Sequence, residues 1–133
     1  MTIDEYNKVL ERMNKGKSAA SEHDLQVGCV NWFRLAYPQY ACLLMAIPNG
    51  GQRSIVVAAK MKAEGVLAGV PDLFLAVAKH KKHGLWIEMK NGKAGRVSDK
   101  QTEMMKLLWR EGYDCRIART RDDFEQIVKE YLD

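Results

Sequence analysis

Ile3, Tyr6, Val9, Leu10 and Met13 recur at the spacing of one helix face, and Thr2 with Glu5 forms a capping box in front of them. Gly16 closes that helix, and residues 15–20 read as a short linker. Ser21 with Asp24 opens a second helix, whose stripe is Leu25, Cys29, Trp32, Phe33 and Ala36 and which stops before Pro38. Glu22 falls three residues before Leu25 and seven before Cys29, an acid on the inward face. Residues 41–47 are an apolar run halted by Pro48, Asn49, Gly50 and Gly51, which predicts a buried strand and a turn. A third helix is predicted over 53–64, ending at Gly65. Strands follow over 73–78 and 84–90, with His80, Lys81, Lys82 and His83 as the exposed tip of a hairpin between them. Ser98 with Gln101 is another capping box, opening a helix through Trp109 that ends at Gly112. Residues 113–118 form the last strand, and Thr120 with Asp123 caps a final helix through Phe124, Ile127, Val128 and Tyr131.

The order α, α, β, α, β, β, α, β, α combines a hairpin with a strand–helix–strand unit. It predicts an α/β fold, a mixed sheet with helices on both faces. At 133 residues the chain supports one domain and one core. Its 47% hydrophobic and 29% charged content excludes a disordered tail or a fibre. The net charge of +4 mildly favours a polyanionic partner. Cys29, Cys42 and Cys115 are odd in number and lack a CxxC pair, which argues against a disulfide framework or structural zinc and for reduced, mostly buried thiols. The first fifteen residues carry acids and no continuous apolar stretch, unlike a secretory signal, and no segment approaches the ~20 apolar residues of a bilayer span. The expectation is a soluble, cytoplasmic protein with no membrane partner.

The chemically informative stretch is Pro71-Asp72-Leu73 followed by Ile87-Glu88-Met89-Lys90. In the predicted hairpin Asp72 begins one strand and Glu88 lies near the end of its partner, so the two carboxylates can be neighbours. Period two puts Glu88 and Lys90 on one face and Met89 on the other. Carboxylate oxygens suit magnesium or manganese, and a metal held there can polarise a phosphoryl oxygen and activate water. Lys90 would orient that water or neutralise charge on the phosphate. Taken singly, Pro-Asp is a common turn starter and Glu-x-Lys a common solvated strand pattern; their occurrence together on adjoining strands is what points to a site.

The pattern Pro71-Asp72, Glu88-Met89-Lys90 resembles the PD-(D/E)XK nuclease superfamily. The surrounding Ile47-Pro48-Asn49-Gly50-Gly51, residues 62–72 (KAEGVLAGVPD) and Ser98 to Gln101 resemble its VRR-NUC branch, the virus-type replication-repair nucleases. The likeness runs from about Glu22 to the C-terminus, dividing the chain into an N-terminal helix and linker (1–20) and a nuclease domain (21–133). It implies a restriction-endonuclease-like fold, with Asp72, Glu88 and the Met89 backbone carbonyl binding Mg2+ or Mn2+ and Lys90 as catalytic lysine. Glu22 would be the family's helix acid, although an acid is also favoured in any first helical turn. Gln101 would face the site, although it is equally the capping partner of Ser98.

Asn49, Gly50 and Arg53 belong to a polar, glycine-rich loop that reads either as a turn or as a phosphate-approaching segment. Lys79, Lys81, Lys82, Lys93, Arg96 and Lys100 read as a solvated face or, beside a nuclease centre, as DNA contacts. The Met and aromatic residues fall on helical stripes and read as core. The resulting expectation is a metal-dependent DNA endonuclease. The family's name implies replication and repair, and its small members resemble phage enzymes akin to Holliday-junction resolvases, which makes branched DNA the first substrate and a homodimer the natural assembly. Flap or duplex-end cleavage, RNA cleavage and a non-catalytic DNA-binding module are the alternatives.

Overall fold

A computed structural model of the chain describes residues 1–14, 21–48 and 54–133. Its elements are α1 (Ile3–Asn14), α2 (Glu22–Ala36), β1 (Leu44–Ala46), α3 (Ile55–Ala63), β2 (Leu73–Leu75), β3 (Leu85–Met89), α4 (Asp99–Arg110), β4 (Asp114–Ala118) and α5 (Arg121–Leu132). The capping boxes form as side chain and backbone exchange bonds: Glu5 N donates to Thr2 Oγ1 and Thr2 N to Glu5 Oε2, both at 3.2 Å. Ser21–Asp24 and Ser98–Gln101 do the same at the starts of α2 and α4.

The four strands lie in the order β1-β2-β3-β4. β1–β2 and β2–β3 are antiparallel, and β3–β4 is parallel through the α4 crossover. Strand alternation divides the sheet. Leu73, Leu75, Leu85, Ile87 and Met89 face one side and are buried with Cys29, Trp32 and Phe33 of α2 and Phe124, Val128 and Tyr131 of α5. Each such large apolar side chain contributes ~1.5–3 kcal/mol on leaving water. Tyr131 Oη donates to the Val77 carbonyl at 2.6 Å and fixes α5 against the sheet. The other side carries the site, with the start of α4 over it.

The structure corrects the sequence reading in several places. Residues 41–47 are not one buried strand: Pro38 opens a 3-10 turn, Pro38–Leu43, and leaves only Leu44–Ala46 extended. β1 is an edge strand, so Leu44 is buried while Met45 and Ala46 are exposed. β2 ends at Leu75 instead of residue 78. Leu75 pairs with Leu85 and Lys79 bridges Lys82, so four steps on the outgoing side oppose three on the return. The extra residue is a bulge that interrupts the ladder. His80 (φ 52°) and Lys81 (φ 63°) close the hairpin in the left-handed region that a two-residue turn demands. Among the thiols only Cys29 is buried; Cys42 is exposed and Cys115 half-buried. α3 buries none of its side chains, with Ile55 89% exposed, and Trp109 of α4 is 62% exposed, so neither belongs to the core. α1 packs inward through Ile3 and Tyr6, and Arg121 Nη2 of α5 donates to Asn7 at 2.6 Å. Among the described residues no helix is long and apolar enough to cross a membrane.

Candidate active site

Leu73 stands opposite Ile87, which puts Asp72 opposite Glu88 one position along the ladder, and Glu88 in turn pairs with Ile117. The row behind is Met45, Phe74, Trp86 and Cys115. Phe74 and Trp86 stack with ring centroids 4.3 Å apart, an apolar wall beside the carboxylates. Gly69 (φ +90°) lets the chain approach α4 before Asp72: a Cβ there would lie 2.8 Å from the Lys100 carbonyl oxygen. A side chain at that position would therefore push the Asp72 segment away from the first turn of α4.

Each group at the centre is held by a named partner. The Met89 backbone N–H donates to Asp72 Oδ2 at 2.8 Å. Gln101 Nε2 donates to Glu88 Oε1 at 2.9 Å, while Gln101 Oε1 accepts from Ser98 N at 2.8 Å. The capping partner of α4 thus also reaches the carboxylate, so the two roles open to Gln101 coexist. Lys90 Nζ lies 3.8 Å from Glu88 Oε1, with Lys90 12% and Glu88 2% exposed. The Met89 side chain is buried in the core, which leaves its backbone to the site.

Glu88 is the anomalous group. Burial, then the neighbouring Asp72 charge and a hydrogen bond to Asp72, push its carboxyl up to about 8; Lys90 opposes this and Glu22 adds to it. The Asp72 hydrogen bond exists only while a proton sits between the two carboxyls. Without that proton Glu88 Oε2 is buried with no donor. A buried anion beside another anion costs several kcal/mol unless a cation joins them. This donor-poor oxygen pair fits a hard divalent cation.

Glu22 lies elsewhere than the inward face read from the sequence. It occupies the first turn of α2 and is exposed. Its charge is felt at Glu88, but no group of three His, Cys, Asp or Glu side chains suited to a metal forms among the described residues. Asn49, Gly50 and Arg53 lie outside the described residues. The lysines do not form one cluster around the site. Lys93, Arg96 and Lys100 follow β3 at the carboxylate end. Lys81 and Lys82 sit at the hairpin tip, ~20 Å from Glu88 at ~3.3 Å per residue. Burial pushes the Cys29 thiol up to about 12 and the Cys115 thiol to about 11, so neither is activated as a thiolate. Sequence reasoning missed Arg119, whose Nη1 donates to the Gly92 and Gly95 carbonyls of the loop after Lys90, at 2.9 and 2.5 Å. Its place beside Lys90 depends on the parallel β3–β4 pairing, which no local pattern announces.

The model of the VRR-NUC domain family matches residues 7–122, most of the chain, including the carboxylate pair, Lys90 and Gln101. The chain belongs to the VRR-NUC family. Its fold agrees. A solved structure described as a VRR-NUC domain protein superposes with a TM-score of 0.76 at 27% identity, covering 87% of this chain and 91% of its own. No curated protein matches the chain. A VRR-NUC domain is a nuclease domain, and this one presents a buried carboxylate, a second carboxylate and a lysine on one face of its sheet.

Proposed function

We propose that this VRR-NUC protein is a metal-dependent endonuclease that hydrolyses phosphodiester bonds in DNA. The observation that carries the reading is the Glu88 carboxylate: buried, donor-poor at Oε2, against Asp72 and 3.8 Å from the Lys90 ammonium. Asp72, Glu88 and the Met89 carbonyl would hold Mg2+ or Mn2+, with Glu22 contributing charge from the rim. The ion, when bound, supplies Lewis-acid polarisation of the phosphoryl oxygen. Gln101 keeps Glu88 in one orientation through Nε2. The Met89 amide does the same for Asp72. Lys90 offers a donor beside the carboxylates to orient the attacking water or to balance charge building on the phosphate. The apolar wall of Phe74 and Trp86 keeps bulk water away from that side, which strengthens each of these interactions. Lys93 and Arg96 contact phosphates beside the scissile bond, and Lys81 and Lys82 contact them farther along the duplex.

Cleavage is expected with magnesium or manganese, calcium should support binding alone, and excess EDTA should abolish turnover. Matched single-stranded, duplex, flap and four-way DNA, with an RNA duplex beside them, identify the substrate in the same assay, and the four-way junction is expected to be cut fastest. Full activity in EDTA overturns the metal reading, and preference for the RNA duplex overturns the DNA reading.

A four-way junction needs two cuts related by its own approximate two-fold axis, and one chain supplies one centre. A homodimer with an isologous interface meets that need. Of the apolar residues of α1 that could supply the interface, Ile3 and Tyr6 are used within the chain. The exposed Ile55, Val56 and Val57 of α3 are available instead. Sedimentation equilibrium should give ~30 kDa, twice the 15.1 kDa chain. A strict monomer, free and on junction DNA, removes the resolvase role and leaves a nicking or flap nuclease.

A further inference from the structure

The loop that leaves β3 is fixed from the neighbouring strand. Met89 pairs with Ala118 in parallel register, and Lys90 N donates to the Ala118 carbonyl at 2.9 Å, which brings Arg119 alongside Lys90. Gly92 N donates to the Arg119 carbonyl at 3.1 Å, and Arg119 Nη1 returns two bonds to the Gly92 and Gly95 carbonyls. Gly95 is pressed on the stem of Lys90, since a Cβ there would lie 3.1 Å from Lys90 Cβ. Arg119, the loop and Lys90 are therefore one packed unit at the carboxylate end of the sheet.

The charge of that unit is unbalanced. Lys90, Lys93, Arg96 and Arg119 converge on it, and among the described residues only Lys90 has a carboxylate within ion-pair distance. Asp123 is close, but its Oδ2 accepts from the Arg119 backbone N–H at 3.0 Å and makes no ion pair with the guanidinium. Both Nη1 hydrogens of Arg119 are spent on neutral carbonyls. Its Nε and Nη2 have no partner among the described residues and are not among the buried unpartnered atoms, so they reach solvent. A guanidinium edge held still by its other nitrogen, with no anion of its own, matches the paired oxygens of a phosphate.

We propose that Arg119 binds a backbone phosphate of the nucleic acid next to the scissile one, through Nε and Nη2, while Nη1 holds the 91–97 loop in place. The assignment rests on the nuclease reading and adds to it a phosphate-binding residue outside the carboxylate–lysine motif. One nitrogen organises the loop and the rest of the group meets the substrate, so the site is preorganised before DNA arrives.

The test is the salt dependence of binding to a short labelled duplex in calcium, which avoids cleavage. R119Q removes the charge and keeps an amide that can donate to the loop carbonyls. It is measured both in the wild-type chain and in K93A/R96A, where the loop carries no cation of its own. In both backgrounds the slope of log affinity against log salt should fall by ~0.9, the value of one lost phosphate contact. If Arg119 only holds the loop, R119Q adds nothing once Lys93 and Arg96 are gone, and that result overturns the proposal. R119K keeps the charge and should keep the parental slope with weaker affinity; a slope as low as that of R119Q also overturns it. Should the wild-type protein not hold the duplex, the same slopes are read on a labelled four-way junction; binding to neither would instead bring down the nuclease reading itself, so the two failures are distinguishable.

Discussion

D72A, E88A and K90A should each lower the rate of phosphodiester hydrolysis by roughly a thousandfold or more, the usual consequence of removing a central catalytic group. Their effects on stability should differ, because the three side chains are held differently. D72A removes the acceptor of the Met89 amide and should cost ~1 kcal/mol. E88A removes a buried carboxylate that lies against another, and should leave the metal-free protein as stable as before or more so, despite the loss of the Gln101 bond. K90A takes away the ammonium 3.8 Å from Glu88 and so should hold that carboxyl in its neutral form to higher pH. Single-turnover rates on the cleaved substrate, beside thermal melts of each variant, separate chemistry from folding. A variant that turns over near the wild-type rate takes its residue out of the centre.

The part of the structure legible in the sequence was the part governed by local rules. Capping pairs three residues apart announced the starts of α1, α2 and α4, because the same few atoms close each box wherever it occurs. Period two put Glu88 and Lys90 on one face, and the hairpin placed Asp72 opposite Glu88. Non-local features stayed hidden. The bulge between Leu75 and Lys79 shortens β2 without any special residue to mark it. The spacing over α3 did not show that Ile55, Val56 and Val57 would be left exposed, since its apolar residues lie on more than one side of the helix. The basic residues near the hairpin looked like one cluster because sequence distance ignores strand length, which separates Lys82 from Lys93. Arg119 was invisible for the converse reason: a parallel crossover brings it beside Lys90 from the far side of α4.

Binding of Mn2+ or Mg2+ should strengthen about tenfold for each pH unit up to about 8 and then level off. The metal-free Glu88 keeps its proton until about pH 8, whereas an ordinary glutamate loses it near 4.5. The ion requires the charged form, so occupation below pH 8 releases one proton, and mass action ties affinity to proton concentration. The same displacement sets the stability of the metal-free protein. Between pH 4.5 and 8 the folded state holds a proton that the unfolded chain has lost, so the slope of unfolding free energy against pH is negative. At ~1.4 kcal/mol per pKa unit, the loss over that window is on the order of a few kcal/mol, and stability is level above it. E88Q cannot ionise. It should flatten the stability profile, remove the proton release and weaken the metal at every pH, with little change in volume at the site. Titration calorimetry with Mn2+ in two buffers of different ionisation heat counts the proton directly, and urea melts across the pH range follow the stability. Affinity that does not change between pH 6 and 8 would mean that Glu88 is already ionised without the ion. The burial of Glu88 against Asp72 would then not be the feature that draws the metal in.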